Sequence, residues 1–218
     1  MKVPAIILAG TLVALSTAVA RATDLSAKIN VDNDFGLYVS TDDSVLGTPV
    51  MEYLNGSNQW ELTRSGSATL TPNVTNYIHV VGVDRGGGYA MFLGQFNLSD
   101  TGFSFANGSQ LLLTGNSAIQ VSKTGFGANY APTTDVGPNG TLPWDVIGGV
   151  DINAHLVWSD TIAPVQPCCA AQYQTSYFSA AVNPIPTNDA TTPEPTTLSL
   201  LALGGIPLLL KRRRAASR

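Results

Sequence analysis

The chain has 218 residues, of which 12% are charged and 44% hydrophobic, with a formal net charge of −4. Residues 23–183 hold only four bases (Lys28, Arg64, Arg85 and Lys123) against 13 acids, a balance near −9. Such a body excludes nucleic-acid binding by phosphate neutralisation, which needs clustered Lys and Arg. It is long enough to bury a core without disulfides.

Lys2 followed by the apolar run Val3 to Leu15 and the small-residue site Ala18-Val19-Ala20 predicts a secretory signal peptide over residues 1–22, with Ala20-Arg21-Ala22 as a second cleavage site. The chain then enters a body with little helical periodicity. Short β-rich runs separated by Gly, Asn, Asp and Ser recur along it, which predicts an all-β fold, a sandwich of eight to ten antiparallel strands over residues 23–183. Phe35, Leu37 and Val39 alternate with Gly36, Tyr38 and Ser40. Tyr77 to Val83 is a dense apolar run suited to a central strand. Met91 to Phe96, Leu111 to Leu113, Ala118 to Val121 and Ala154 to Trp158 continue the series. Asn55-Gly56, Asn107-Gly108 and Asn139-Gly140 supply turn residues that tolerate positive φ.

Candidate binding residues lie along these strands and turns. Asp32, Asp34, Asp42, Asp43 and Asp84 form the candidate set for a divalent cation, calcium above all, because hard cations take six to eight oxygens. The pattern is not an EF-hand, since Gly36 stands where the fifth residue of the loop should supply a ligand, and an acidic turn capping backbone amides is the competing reading. Trp60, Tyr89 and Trp144 are the candidate glycan-stacking rings, whereas Trp158 alternates with apolar residues and is expected in the core. His79 falls inside the most apolar strand, and His155 has Asp151 and Asp160 near it in sequence.

No nucleophile elbow, zinc motif, phosphate loop or dinucleotide fingerprint is present, so the expected protein is not an enzyme; a glycan hydrolase is the residual catalytic class. Cys168 and Cys169 are adjacent and the only cysteines, an arrangement that makes a poor metal site. The five Asn-x-Ser/Thr sequons, at Asn55, Asn73, Asn97, Asn107 and Asn139, are expected from a β surface rich in Asn, Ser and Thr.

Residues 184–195, rich in Pro, Thr and Asn, read as an extended linker. Thr196 to Leu210 carries no charge and as a helix would be about 22 Å long, short of the ~20 residues a membrane span needs. Lys211, Arg212, Arg213 and Arg214 open a basic segment, 211–218, which would hold that end in the cytoplasm. The expected flanks of the sandwich are therefore an N-terminal signal helix and a C-terminal hydrophobic helix.

Pro193-Glu194-Pro195, the apolar segment and the Lys211–Arg214 cluster together resemble the PEP-CTERM sorting signal of bacterial exported proteins. That resemblance implies signal peptidase and an exosortase-type membrane protease as partners. It also implies a transient membrane anchor and delivery to the cell surface or an extracellular polysaccharide matrix. VDNDFGLYVS from Val31, Trp60, YIHVVGVDRGGGYAMFLGQF from Tyr77, AHLVWSD from Ala154 and SYFSA from Ser176 resemble jelly-roll domains of the galactose-binding-like or PA14-like type. This second resemblance implies a jelly-roll sandwich used for adhesion or glycan binding. A ligand-free structural matrix component is the competing class.

Overall fold

The computed structural model describes residues 22–54, 59–85, 89–159 and 174–186. The signal segment, Cys168 and Cys169, Asp160, Pro193 to Pro195, the hydrophobic stretch and Lys211 to Arg214 lie outside the described residues. Every regular element among those described is a strand, thirteen in all against the eight to ten expected, and none is a helix able to cross a membrane.

The first sheet has the order β11-β12-β6-β1-β4, with β8 also on β6. It is built from β1 (Asp24–Asp32), β4 (Arg64–Thr69), β6 (Met91–Leu98), β8 (Leu111–Leu113), β11 (Thr134–Pro138) and β12 (His155–Trp158). The second has the order β10-β9-β13-β5-β2-β3, with β7 also on β13. Its strands are β2 (Asp34–Ser40), β3 (Thr48–Tyr53), β5 (Asn76–Asp84), β7 (Phe103–Phe105), β9 (Gln120–Ser122), β10 (Ala131–Pro132) and β13 (Gln174–Pro184). All pairings are antiparallel, and most connections carry the chain from one sheet to the other. The result is a β-sandwich.

Period-two alternation explains the layers. On β1, Leu25, Ala27, Ile29 and Val31 point into the space between the sheets; on β5, Ile78 and Val80 do so from the other side. Phe92, Phe96, Trp158 and Phe178 fill the middle of that core, with Phe92 and Phe178 centroids 4.8 Å apart. Rings of this size need gaps opposite them. A Cβ on Gly82 would come within 3.0 Å of Trp158 and one on Gly94 within 2.9 Å of Phe92, so each strand glycine seats an aromatic ring.

The same alternation sends Met91 and Leu93 to the opposite face of the first sheet, where a second apolar cluster forms with Trp144, Ile147, Val150, Ala154 and Leu156. Residues 139–154 thus fold back over that outer face. Asn139 pins the loop: its side chain donates to Ile147 O (3.0 Å) and accepts from Ile147 N (2.9 Å). Its amide is thereby buried and bonded through both its nitrogen and its oxygen.

Candidate functional site

β1 passes from the first sheet to β2 in the second through a single residue, Asn33, whose N–H donates to Val83 O on β5 (3.0 Å). Three carboxylates are therefore drawn to one end of the sandwich: Asp32 closes β1, Asp34 opens β2 and Asp84 closes β5. All three are buried.

Asp32 is the centre of this end. Its two oxygens accept from Trp144 Nε1 at 3.0 Å and from Asn33 Nδ2 at 2.7 Å. Asn33 in turn accepts the Arg85 N–H through Oδ1 (2.7 Å), and Arg85 Nε donates to Asp34 Oδ2. Burial pushes the Asp32 carboxyl up to about 6; the Trp144 bond pulls it down and the Asp84 charge adds to the rise.

Above this carboxylate, Tyr89 meets Trp144 edge to face, with centroids 5.7 Å apart and planes at 82°. Tyr89 is 40% exposed, whereas Trp144 is only 2% exposed. Trp60 is half-buried against the same apolar cluster. The buried Asn30 holds the segment carrying it: Asn30 Nδ2 donates to Trp60 O (2.8 Å), and Thr63 Oγ1 donates to Asn30 Oδ1 (2.9 Å).

The three rings chosen from sequence thus belong to one side of the first sheet, with different roles. Trp144 is corrected from a stacking platform to a buried brace, because its loop folds back and its N–H is spent on Asp32. Tyr89 keeps an accessible ring, and Trp60 part of one.

The cation set is also corrected. Asp42 and Asp43 follow the other end of β2, which at seven residues puts them roughly 20 Å from Asp32, Asp34 and Asp84. Among the described residues no three Asp, Glu, His or Cys side chains are grouped to hold a metal. At the near end, Trp144, Asn33 and Arg85 take carboxylate oxygens that a cation would need. Asp42 is an acidic turn, accepting from Ser44 N (2.8 Å) and Ser44 Oγ (2.7 Å), bonds that hold its carboxyl below the usual range.

Asp43 organises a second cluster that the sequence does not reveal. Its Oδ1 accepts from Ser179 Oγ (2.7 Å) and Tyr130 OH (3.0 Å) and faces His79 Nε2 at 3.1 Å. The other ring nitrogen of His79 faces Leu46 O at 3.2 Å, and Phe126 stacks on the imidazole at 3.9 Å. His79 is fully buried on the outer face of the second sheet, with an acceptor oxygen opposite each ring nitrogen. Ser179 is its cross-strand partner, but the hydroxyl bonds the carboxylate rather than the imidazole. A serine nucleophile needs its base within reach of the hydroxyl, so this cluster is a structural tie. His155 bonds Asp135 (2.8 Å) across β11 and β12, and Asp151 turns instead to its own loop, accepting from Asn153 N (2.9 Å).

No family model matches the chain, and no curated protein or solved structure matches it significantly. The function therefore rests on the chemistry of these residues and of the sequence motifs.

Proposed function

We propose that this is an exported bacterial surface or matrix protein, sorted through a PEP-CTERM-type signal, whose β-sandwich makes contact with extracellular glycan. The sorting half rests on Pro193-Glu194-Pro195, the uncharged segment Thr196 to Leu210 and the Lys211–Arg214 cluster, together with the signal-like residues 1–22. The apolar stretch is short and interrupted by Gly204, Gly205 and Pro207, which suits brief retention and cutting better than permanent anchorage. The jelly-roll form of the sandwich belongs to this reading. Its support is the hydrophobic pattern and a chain that changes sheet at most connections.

The observation that carries the glycan half is the Tyr89 ring, exposed at 40% and braced by a buried Trp144 that is itself tied to Asp32. A ring held in one orientation stacks on a sugar face with little loss of side-chain entropy. The exposed portion of Trp60 extends the apolar surface, while Trp144 orders the platform without touching ligand.

Glycan-array binding of the protein, repeated for Tyr89→Ala, tests this half. A glycan retained by the parent and lost by at least tenfold in the variant, at unchanged thermal stability, is the expected outcome. Absence of binding to any matrix glycan would leave the purely structural role as the better reading.

A further inference from the structure

Sheet edges expose unpaired backbone groups, and proteins blunt them with proline, bulges or brevity. Among the described residues three of the four terminal strands do so here. β3 carries Pro49 and faces a register shift at Leu37/Tyr38. β10 is two residues long and contains Pro132. β11 has a register shift at Asp135/Gly137 and ends in Pro138. The two side branches, β7 and β8, are three residues each.

β4 is the exception. It runs six residues, Arg64-Ser65-Gly66-Ser67-Ala68-Thr69, with unbroken register against β1 from Ile29↔Arg64 to Asp24↔Thr69, and it pairs with β1 alone. A cleft of about 460 Å³ opens along Ser67 to Thr69, between this edge and Thr48 to Val50 of β3.

We infer that β4 is a self-association strand: two copies of this chain join β4 to β4, antiparallel about a twofold axis, and make one continuous sheet from two. Symmetry and side chains choose the register. A twofold axis perpendicular to the sheet keeps each face on its own side, so paired residues share parity, and centring on Ser67 uses most of the strand. Ser67 then opposes its counterpart and Ser65 opposes Thr69 on the outer face, hydroxyl pairs of the kind that stabilise adjacent strands; the Thr69 hydroxyl, which donates to Asp24 Oδ1 (2.6 Å), meets Ser65 as an acceptor. Gly66 opposes Ala68 on the inner face, where both are too small to obstruct a strand about 4.8 Å away.

Charge selects a second copy at this edge. A body near −9 repels its own kind, yet β4 itself holds no acid; on β1, Lys28 flanks Ser65 and Asp24 flanks Thr69, so the register that sets Ser65 against Thr69 places the Lys28 of each copy in the same cross-strand row as the Asp24 of the other. This is where two acidic bodies approach at least cost. Such pairing suits a matrix component and does not depend on glycan contact.

The test is sedimentation velocity of the full chain in non-ionic detergent over a concentration series, with Ser67→Asp as the perturbation. Ser67 is exposed, so the fold should survive, which a melting curve checks. Two like charges placed directly opposite are expected to raise the dimer dissociation constant several-fold. A second variant, Ser67→Cys, should give a disulfide between the two copies, mapped by peptide mass spectrometry, and faster than Thr101→Cys at another exposed position. A chain that stays monomeric at all concentrations, a dimer indifferent to Ser67→Asp, or equal cross-linking at the two cysteine positions would overturn the inference. Association through the hydrophobic tail gives the second of these results.

Discussion

Replacing Asp32 by Asn isolates the electrostatic cost of the buried end. The folded chain holds this carboxyl up at about 6 against an ordinary value of 3.8, a gap of roughly two units, or about 3 kcal/mol at 1.36 kcal/mol per unit. The sign follows from which state binds the proton. Below pH 3.8 both states are protonated and nothing is lost. Between pH 3.8 and about 6 the unfolded chain releases the proton while the folded chain keeps it, so stability falls; above pH 6 the deficit is constant.

Asp32→Asn removes that deficit but has its own cost. The new amide oxygen keeps the Trp144 N–H, while the new NH₂ faces Asn33 Nδ2, also a donor. Asn33 has no cheap flip, because its oxygen accepts the Arg85 N–H, so about 1 kcal/mol is lost at every pH. The variant should therefore be less stable than the parent by about 1 kcal/mol at pH 3.5 and more stable by about 2 kcal/mol at pH 7.5. Urea denaturation followed by tryptophan fluorescence at several pH values measures the difference. A difference that does not change between pH 3.5 and 7.5 would refute the reasoning, since Asp32 would then titrate alike in both states.

Trp144→Phe should cost roughly 1–3 kcal/mol in the same assay, because it deletes a buried donor, and it should move the Asp32 transition to higher pH because the bond that lowers its pKa is gone. Asp43→Ala should destabilise by about 2–4 kcal/mol, leaving the fully buried His79 Nε2 without its carboxylate, whereas Ser179→Ala should lose only about 1 kcal/mol; thermal unfolding separates the two. Gly94→Ala should lower stability by roughly 1–3 kcal/mol through its collision with Phe92 and Phe96, and a neutral result would mean that the core rings are not held as described.

Strands with strong apolar content are readable in the sequence. Tyr77 to Val83 lies within β5 and Met91 to Phe96 within β6, and Trp158 is in the core as its alternation predicts. β3 and β4 are not readable, since TPVMEY contains a proline and RSGSAT contains no large apolar residue; they form because β2 and β1 offer ladders to pair with. This accounts for much of the difference between thirteen strands and the eight to ten expected.

Site residues divide along the same line. Asp32, Asp34 and Asp84 come together because strand ends do, and a strong central strand ending at Asp84 makes that convergence visible in sequence. Asp43 meeting His79, Tyr130 and Ser179 spans separations of 36, 87 and 136 residues, which local pattern does not encode. Trp144 misleads for a related reason. It sits among Gly, Pro and Asn, a composition that signals an exposed loop, yet the apolar outer face at Met91 and Leu93 draws the loop down and buries the ring.

The central proposal is that this domain is carried out of the cell and released from a C-terminal sorting segment. Mass spectrometry of the intact protein isolated from its native producer tests it most directly. The predicted result is a mature chain that begins near Arg21 or Thr23 and has lost the segment after Pro193-Glu194-Pro195. A mature protein still ending at Arg218 would contradict it.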